Sequence, residues 1–135
     1  MRYIALEEHF SIPELANQWP AAWSEIRFNK RFVEDVERRL PDYTEYRLAD
    51  MDAAGIEVQV LSLTVPGVQA DVDAKSALEH ARFANDHLAK VVAEHPDRFR
   101  GFAALPTQDP KAAAEELGRA VHELGFCGAL VNDRS

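Results

Sequence analysis

Short apolar runs alternate with longer stretches whose apolar residues recur at helical spacing. Four runs have strand character: YIALEE (3–8), EVQVLSL (57–63), FRGFAAL (99–105) and CGALVN (127–132). They alternate poorly between apolar and polar, and VQVLSL and GFAAL are apolar almost throughout. That pattern fits strands covered on both faces. The intervening segments predict helices. PDYTEYRLADMDAAGIE begins after Pro41, offers Asp42 as N-cap and stops at Gly55. In DVDAKSALEHARFANDHLAKVVAEHPDRF, Ala77, Leu78, Ala81, Ala84, Leu88, Val91 and Val92 share one face, and Pro96 ends the helix. QDPKAAAEELGRAVHELGF places Asp109 at the N-cap, Pro110 at N1 and Gly125 past the end. Its apolar stripe is Ala113, Leu117, Ala120, Val121 and Leu124. Residues 14–40 are less regular, and Trp19, Trp23, Phe28 and Phe32 predict an excursion that packs over another part of the chain.

Strand, helix, strand, repeated, predicts parallel strands joined by right-handed crossovers. Two α/β architectures satisfy the pattern: an open doubly wound sheet, or part of a (β/α)8 barrel. No glycine fingerprint follows the first strand, which removes support for a dinucleotide-binding version.

Composition narrows the partners. The 135 residues fit one domain, and 47% hydrophobic residues suffice for a core. The net charge of −8, with basic residues dispersed, argues against nucleic acid. No apolar run approaches a membrane span, and the N-terminus lacks the order of a signal peptide. A single cysteine, Cys127, excludes an internal disulfide framework and fits a reducing compartment. The expectation is a cytoplasmic protein with neither nucleic acid nor membrane as partner.

The first run ends in IALEEHF (4–10), with charge at the end of an apolar strand. Side chains alternate along a strand, so Glu7 and His9 point the same way, roughly 7 Å apart along the backbone, with Ile4, Leu6 and Glu8 opposite. A carboxylate oxygen and an imidazole nitrogen suit Zn2+, Mn2+ or Fe2+. The C-terminal end of a barrel strand is also where barrel active sites form. A solvated strand end is the competing explanation for this tripeptide alone.

Five phrases in order carry more information than the tripeptide: ALEEHF, LADMDAAGIEVQVLSLTVPGVQ, ARFANDHLA, HPDRFRGFAALPTQDP and ELGFCGALVN. Together they closely resemble the amidohydrolase-superfamily decarboxylases of hydroxylated aromatic acids. That group includes γ-resorcylate, 2,3-dihydroxybenzoate and 5-carboxyvanillate decarboxylases, with aminocarboxymuconate-semialdehyde decarboxylase as a distant relative. The resemblance covers nearly the whole chain and is weakest over 14–47. It implies a metal-dependent (β/α)8 barrel of which this chain carries the N-terminal half, about four βα units in a single partial domain over 1–135 that stops after the fourth strand. It also implies Glu7 and His9 as metal ligands, a divalent metal (Zn2+ or Mn2+) with no organic cofactor, and a small aromatic carboxylate as substrate. Trp19, Trp23 and Asn132 are the matching candidates for substrate binding. The family's remaining ligands, a histidine and an aspartate that is also the proton donor, come from later strands, so no catalytic proton donor is assigned here. His80, His87, His95 and His122 sit in or beside the crossover helices and read as surface or capping residues, not replacements.

The resemblance leaves alternatives. A metal-dependent hydrolase of the same superfamily differs in leaving group. A non-catalytic half-barrel would expose strand edges and associate with itself or another chain. An unrelated open-sheet binding protein would hold no metal and would protect both outer strands.

Overall fold

The computed structural model describes residues 3–18 and 29–132. Its centre is a four-stranded parallel sheet ordered β1-β2-β3-β4, formed by Tyr3–Phe10, Ile56–Leu63, Phe99–Ala103 and Gly128–Ala129. Spatial order equals chain order. Right-handed crossovers then stack every connecting helix on the same face, whereas a doubly wound sheet needs a reversal of order. Of the two architectures, the barrel-like one is observed.

Five α-helices accompany the sheet among the described residues: α1 Pro13–Ala16, α2 Lys30–Arg39, α3 Arg47–Ala54, α4 Ala74–Glu94 and α5 Pro110–His122. Each long helix has a local cause. Asp73 caps α4 through the Ser76 amide, and Asp109 caps α5 through the amides of Lys111 and Ala112. Helix α3 ends where Gly55 takes φ 68°, a left-handed conformation that glycine adopts without steric cost. His95 caps the end of α4, one residue before Pro96.

Two helices differ from expectation. Asp42 is not the N-cap of α3, which begins five residues later. Its carboxylate instead accepts the amides of Glu45, Tyr46 and Arg47, closing the turn that leads into the helix. Helix α2 lies in the stretch that sequence pattern left irregular; its core-facing content is slight, and none of its residues is buried.

Strand β2 shows how the faces are divided. Leu61 and Leu63 join Phe10, Phe99 and Ala103 in a core against Met51 of α3, Ala81, Ala84, Leu88 and Val91 of α4, Ala120 of α5 and Phe126. Burying each large member of this cluster contributes about 2 kcal/mol. Val58, Val60 and Ser62 alternate with these residues and so face the opposite side, where the lumen of a barrel lies. Among the described residues strand β1 pairs only with β2, and its Tyr3, Ile4 and Leu6 are all more than half exposed. The outer strand is therefore unprotected, which runs against the open-sheet binding alternative.

A buried polar joint ties α4, α5 and the end of β3. Asn85 donates to the Ala104 carbonyl at 3.0 Å and accepts its amide at 2.8 Å. It also donates to Glu116 at 2.8 Å, and Glu116 takes two further bonds from Arg119 and one from Arg82. Burial alone would raise the Glu116 carboxyl; hydrogen bonds from Arg119 and Asn85 overcome it and hold the group below its ordinary range.

Candidate metal centre

The end of β1 is fixed through backbone, side chain and the neighbouring helix. Register pairs His9 with Ser62 and Phe10 with Leu63, while a shift between Ala5 and Glu8 gives β1 an extra residue relative to β2. Glu7 lies within that irregular stretch. The regular pairing of residues 8–10 carries His9 beside Ser62, whose hydroxyl lies 3.1 Å from His9 Nδ1.

Behind the strand, Arg47 of α3 donates to the His9 carbonyl at 2.7 Å. The same guanidinium donates to the Gln59 side chain at 3.2 Å and to the Asp42 carbonyl at 3.1 Å. Burial lowers its pKa, against the neighbouring charges of Glu8, Tyr43 and Asp42. Phe10 anchors the next position, stacked at 6.3 Å on His87, which in turn lies 3.1 Å from the Tyr43 hydroxyl. Burial lowers the His87 pKa and raises that of Tyr43.

Glu7 is exposed and His9 half-buried, and both line an open hollow with Glu8, Arg39, Arg47 and Gln59. Among the described residues the arginine ion pairs run to Asp35, Asp50, Asp52, Asp86 and Glu116 and leave Glu7 out. Among the described residues, then, no ion pair ties up the Glu7 carboxylate. One carboxylate and one imidazole with Nε2 turned from its Nδ1 partner suit a borderline divalent ion. Among the described residues, however, no group of three or more His, Cys, Asp or Glu side chains is placed to hold one. The pair fits as part of a ligand set, short of the three protein ligands usual for zinc catalysis.

The other expected residues fall elsewhere. Trp19 and Trp23 lie outside the described residues. Asn132 is half-buried beside the turn after β2, its side-chain amide 3.4 Å from the Gln69 side-chain Oε1 and next to Gly67. Gly67 takes φ 61°, and a Cβ there would come within 3.2 Å of the Asn132 amide. Strand β4 is shorter than expected, so Asn132 follows it in a loop instead of ending it. His80 and His87 are not plain surface residues: His80 lies 2.9 Å from an Asp71 oxygen, and His87 meets Tyr43. Neither joins His9. Ser62 was missed by sequence pattern, although a lone hydroxyl in the run VQVLSL was its available signal.

Comparison with known proteins follows the same geometry. The family profile described as Amidohydrolase matches residues 8–135. A γ-resorcylate decarboxylase of Rhodococcus jostii is 53% identical over 129 residues, covering 96% of this chain and 38% of the relative. A crystal structure of 2,6-dihydroxybenzoate decarboxylase bound to 2,6-dihydroxybenzoate superposes with TM-score 0.87 at 51% identity, covering 98% of this chain and 40% of that one. A 5-carboxyvanillate decarboxylase from Novosphingobium aromaticivorans, crystallised with manganese, gives TM-score 0.88 at 36% identity, covering 97% of this chain and 42% of that one. The chain spans less than half the length of these relatives. With the profile covering nearly all of its length and the sheet order agreeing, the chain belongs to the amidohydrolase family.

Proposed function

We propose that this chain is the N-terminal, four-stranded portion of a metal-dependent carboxy-lyase, forming a single partial barrel domain over residues 1–135. The whole protein would remove CO2 non-oxidatively from a hydroxylated aromatic carboxylate. The observation that carries this reading is 53% identity to a γ-resorcylate decarboxylase across 129 residues, including the end of β1. Glu7 and His9 would hold a divalent ion, with the remaining donors supplied by another segment or chain. Manganese in the structures of two relatives supports a divalent ion in that role. Such an ion, when bound, supplies Lewis acidity and a template for the substrate's oxygens.

In this scheme Glu7 and His9 hold and orient; they do not carry protons. Asn132, set by Gln69 and the Gly67 turn, would stand at the strand ends where barrel substrates bind. By the resemblance alone, Trp19 and Trp23 are further candidates for substrate binding. No residue among those described is assigned as proton donor. The exposed apolar residues of β1 favour association of the chain with a copy of itself or with another polypeptide.

A chimera tests the reading. Residues 3–132 replace the corresponding segment of the Rhodococcus jostii decarboxylase, and CO2 release from 2,6-dihydroxybenzoate is followed with Mn2+ present. Turnover is expected, and its loss with Glu7→Gln or His9→Ala. A folded, manganese-loaded chimera that releases no CO2 would overturn the assignment.

A further inference from the structure

We propose that Ser62 is the positioning residue of His9: its hydroxyl accepts the Nδ1 proton of the imidazole and leaves the Nε2 lone pair for a divalent cation. The inference rests on reading His9 as a metal ligand and adds the residue that prepares it.

Four observations support this. Ser62 is 1% exposed, on a face that β2 otherwise furnishes with Val58 and Val60. A hydroxyl so buried needs a partner, and the one at hand is His9 Nδ1 at 3.1 Å. Strand register places the two residues directly opposite, so the contact follows from the backbone and not from a chance rotamer. Arg47 meanwhile clamps the His9 carbonyl at 2.7 Å, fixing the backbone from which the ring projects.

A neutral imidazole has one N–H and one lone pair. The hydrogen bond at one nitrogen decides which nitrogen is free, and this kind of support commonly changes metal affinity by roughly 10- to 100-fold. A hydroxyl can also donate. If Ser62 donated to Nδ1, the proton would sit on Nε2 and block that atom, so the direction of this one hydrogen bond is the point at issue.

Nitrogen-15 spectra of the histidine rings, recorded well above the ordinary histidine pKa, read that direction in the 135-residue chain. The proton is expected on Nδ1 of His9. Ser62→Ala should shift it toward Nε2, and Ser62→Thr, which keeps the hydroxyl, should restore it. Titration with Mn2+, read as paramagnetic broadening of the His9 ring, should show affinity roughly tenfold weaker in Ser62→Ala. Two protein donors bind weakly, and broadening registers sparse occupancy.

A wild-type ring protonated at Nε2, or a tautomer that Ser62→Ala leaves unmoved, overturns the inference even if Mn2+ still broadens His9. An Nδ1 proton controlled by Ser62, without any effect of Mn2+ on His9, supports the hydrogen-bond assignment and sinks the metal reading instead. Should Ser62→Ala fail to fold, the wild-type spectrum and the threonine variant decide the matter.

Discussion

Replacing Glu116 with glutamine would remove one charge from the joint between α4, α5 and β3 while preserving its shape. The carboxylate accepts from Arg119 at 2.7 and 2.9 Å, from Asn85 at 2.8 Å and from Arg82 at 3.3 Å. Glutamine keeps one oxygen, enough for the Asn85 bond, and loses the bidentate Arg119 pairing. Hydrogen bonds to charged partners contribute about 1.5–3 kcal/mol. Arg119 is 22% exposed and retains Asp86 at 2.7 Å, so it can be partly resolvated. Arg82 is half-exposed and adds little. The expected loss is about 2 kcal/mol for Glu116→Gln and about 3 kcal/mol for Glu116→Ala, which also strands Arg119 and opens a void.

Because the folded-state pKa of Glu116 lies below its ordinary value of 4.5, its stabilisation is complete above that value. It is lost as the pH falls through the depressed one. Urea unfolding followed by circular dichroism, at neutral pH and at several acidic values, measures both effects. Wild type and Glu116→Gln should differ by about 2 kcal/mol at neutral pH and converge in acid. A difference below about 0.5 kcal/mol, or one that does not change with pH, would refute the account of this joint.

Other perturbations probe the scaffold. A Cβ at Gly101 would sit 2.8 Å from Phe126 ring carbons and 3.1 Å from a Leu88 methyl, so Gly101→Ala should cost about 2 kcal/mol by urea unfolding, and Phe126→Leu should recover part of it. Asp42→Ala removes the acceptor of three backbone amides and should cost about 1 kcal/mol. Backbone bonds also hold the Asp42 carboxyl below its ordinary value against the effect of burial, so this difference too should shrink in acid. Leu6→Lys places charge on the exposed outer strand; sedimentation velocity should show weaker self-association than wild type with the same circular dichroism. Equal association of the two would remove β1 as the contact.

The parts of the fold legible in the sequence were those set by local chemistry. Asp109-Pro110 starts α5 as their residue types require, and Gly55 ends α3 at a positive φ. Strand β2 spans nearly the residues its apolar run indicated. The chain order of the sheet, by contrast, depends on which strands pair, and both barrel and doubly wound sheets share the alternating pattern. Only the observed order separates them. The extra residue in β1 is similarly invisible, because a register shift is a relation between two strands.

Glu116 was hidden by residue type. It lies on the α5 stripe between Ala113 and Ala120, a position that spacing marks as inward, but a carboxylate is expected outside unless its partners are known. Those partners, Asn85 and Arg82, come from α4. Ser62 escaped for the same reason: its role appears only with His9 opposite. The expected α5 stripe also included Val121, which is 37% exposed. Sequence pattern thus singled out Glu7 and His9 as candidates, while the groups that contact His9 required contacts between elements.

The central claim is that the end of β1 holds a divalent ion through Glu7 and His9. Pulsed electron paramagnetic resonance of Mn2+ added to the chain labelled with nitrogen-15 at histidine tests it directly. The expected result is a nitrogen-15 hyperfine coupling that vanishes in His9→Ala and weakens, with lower occupancy, in Glu7→Gln. A coupling that survives unchanged in His9→Ala would place the ion on another histidine and contradict the claim.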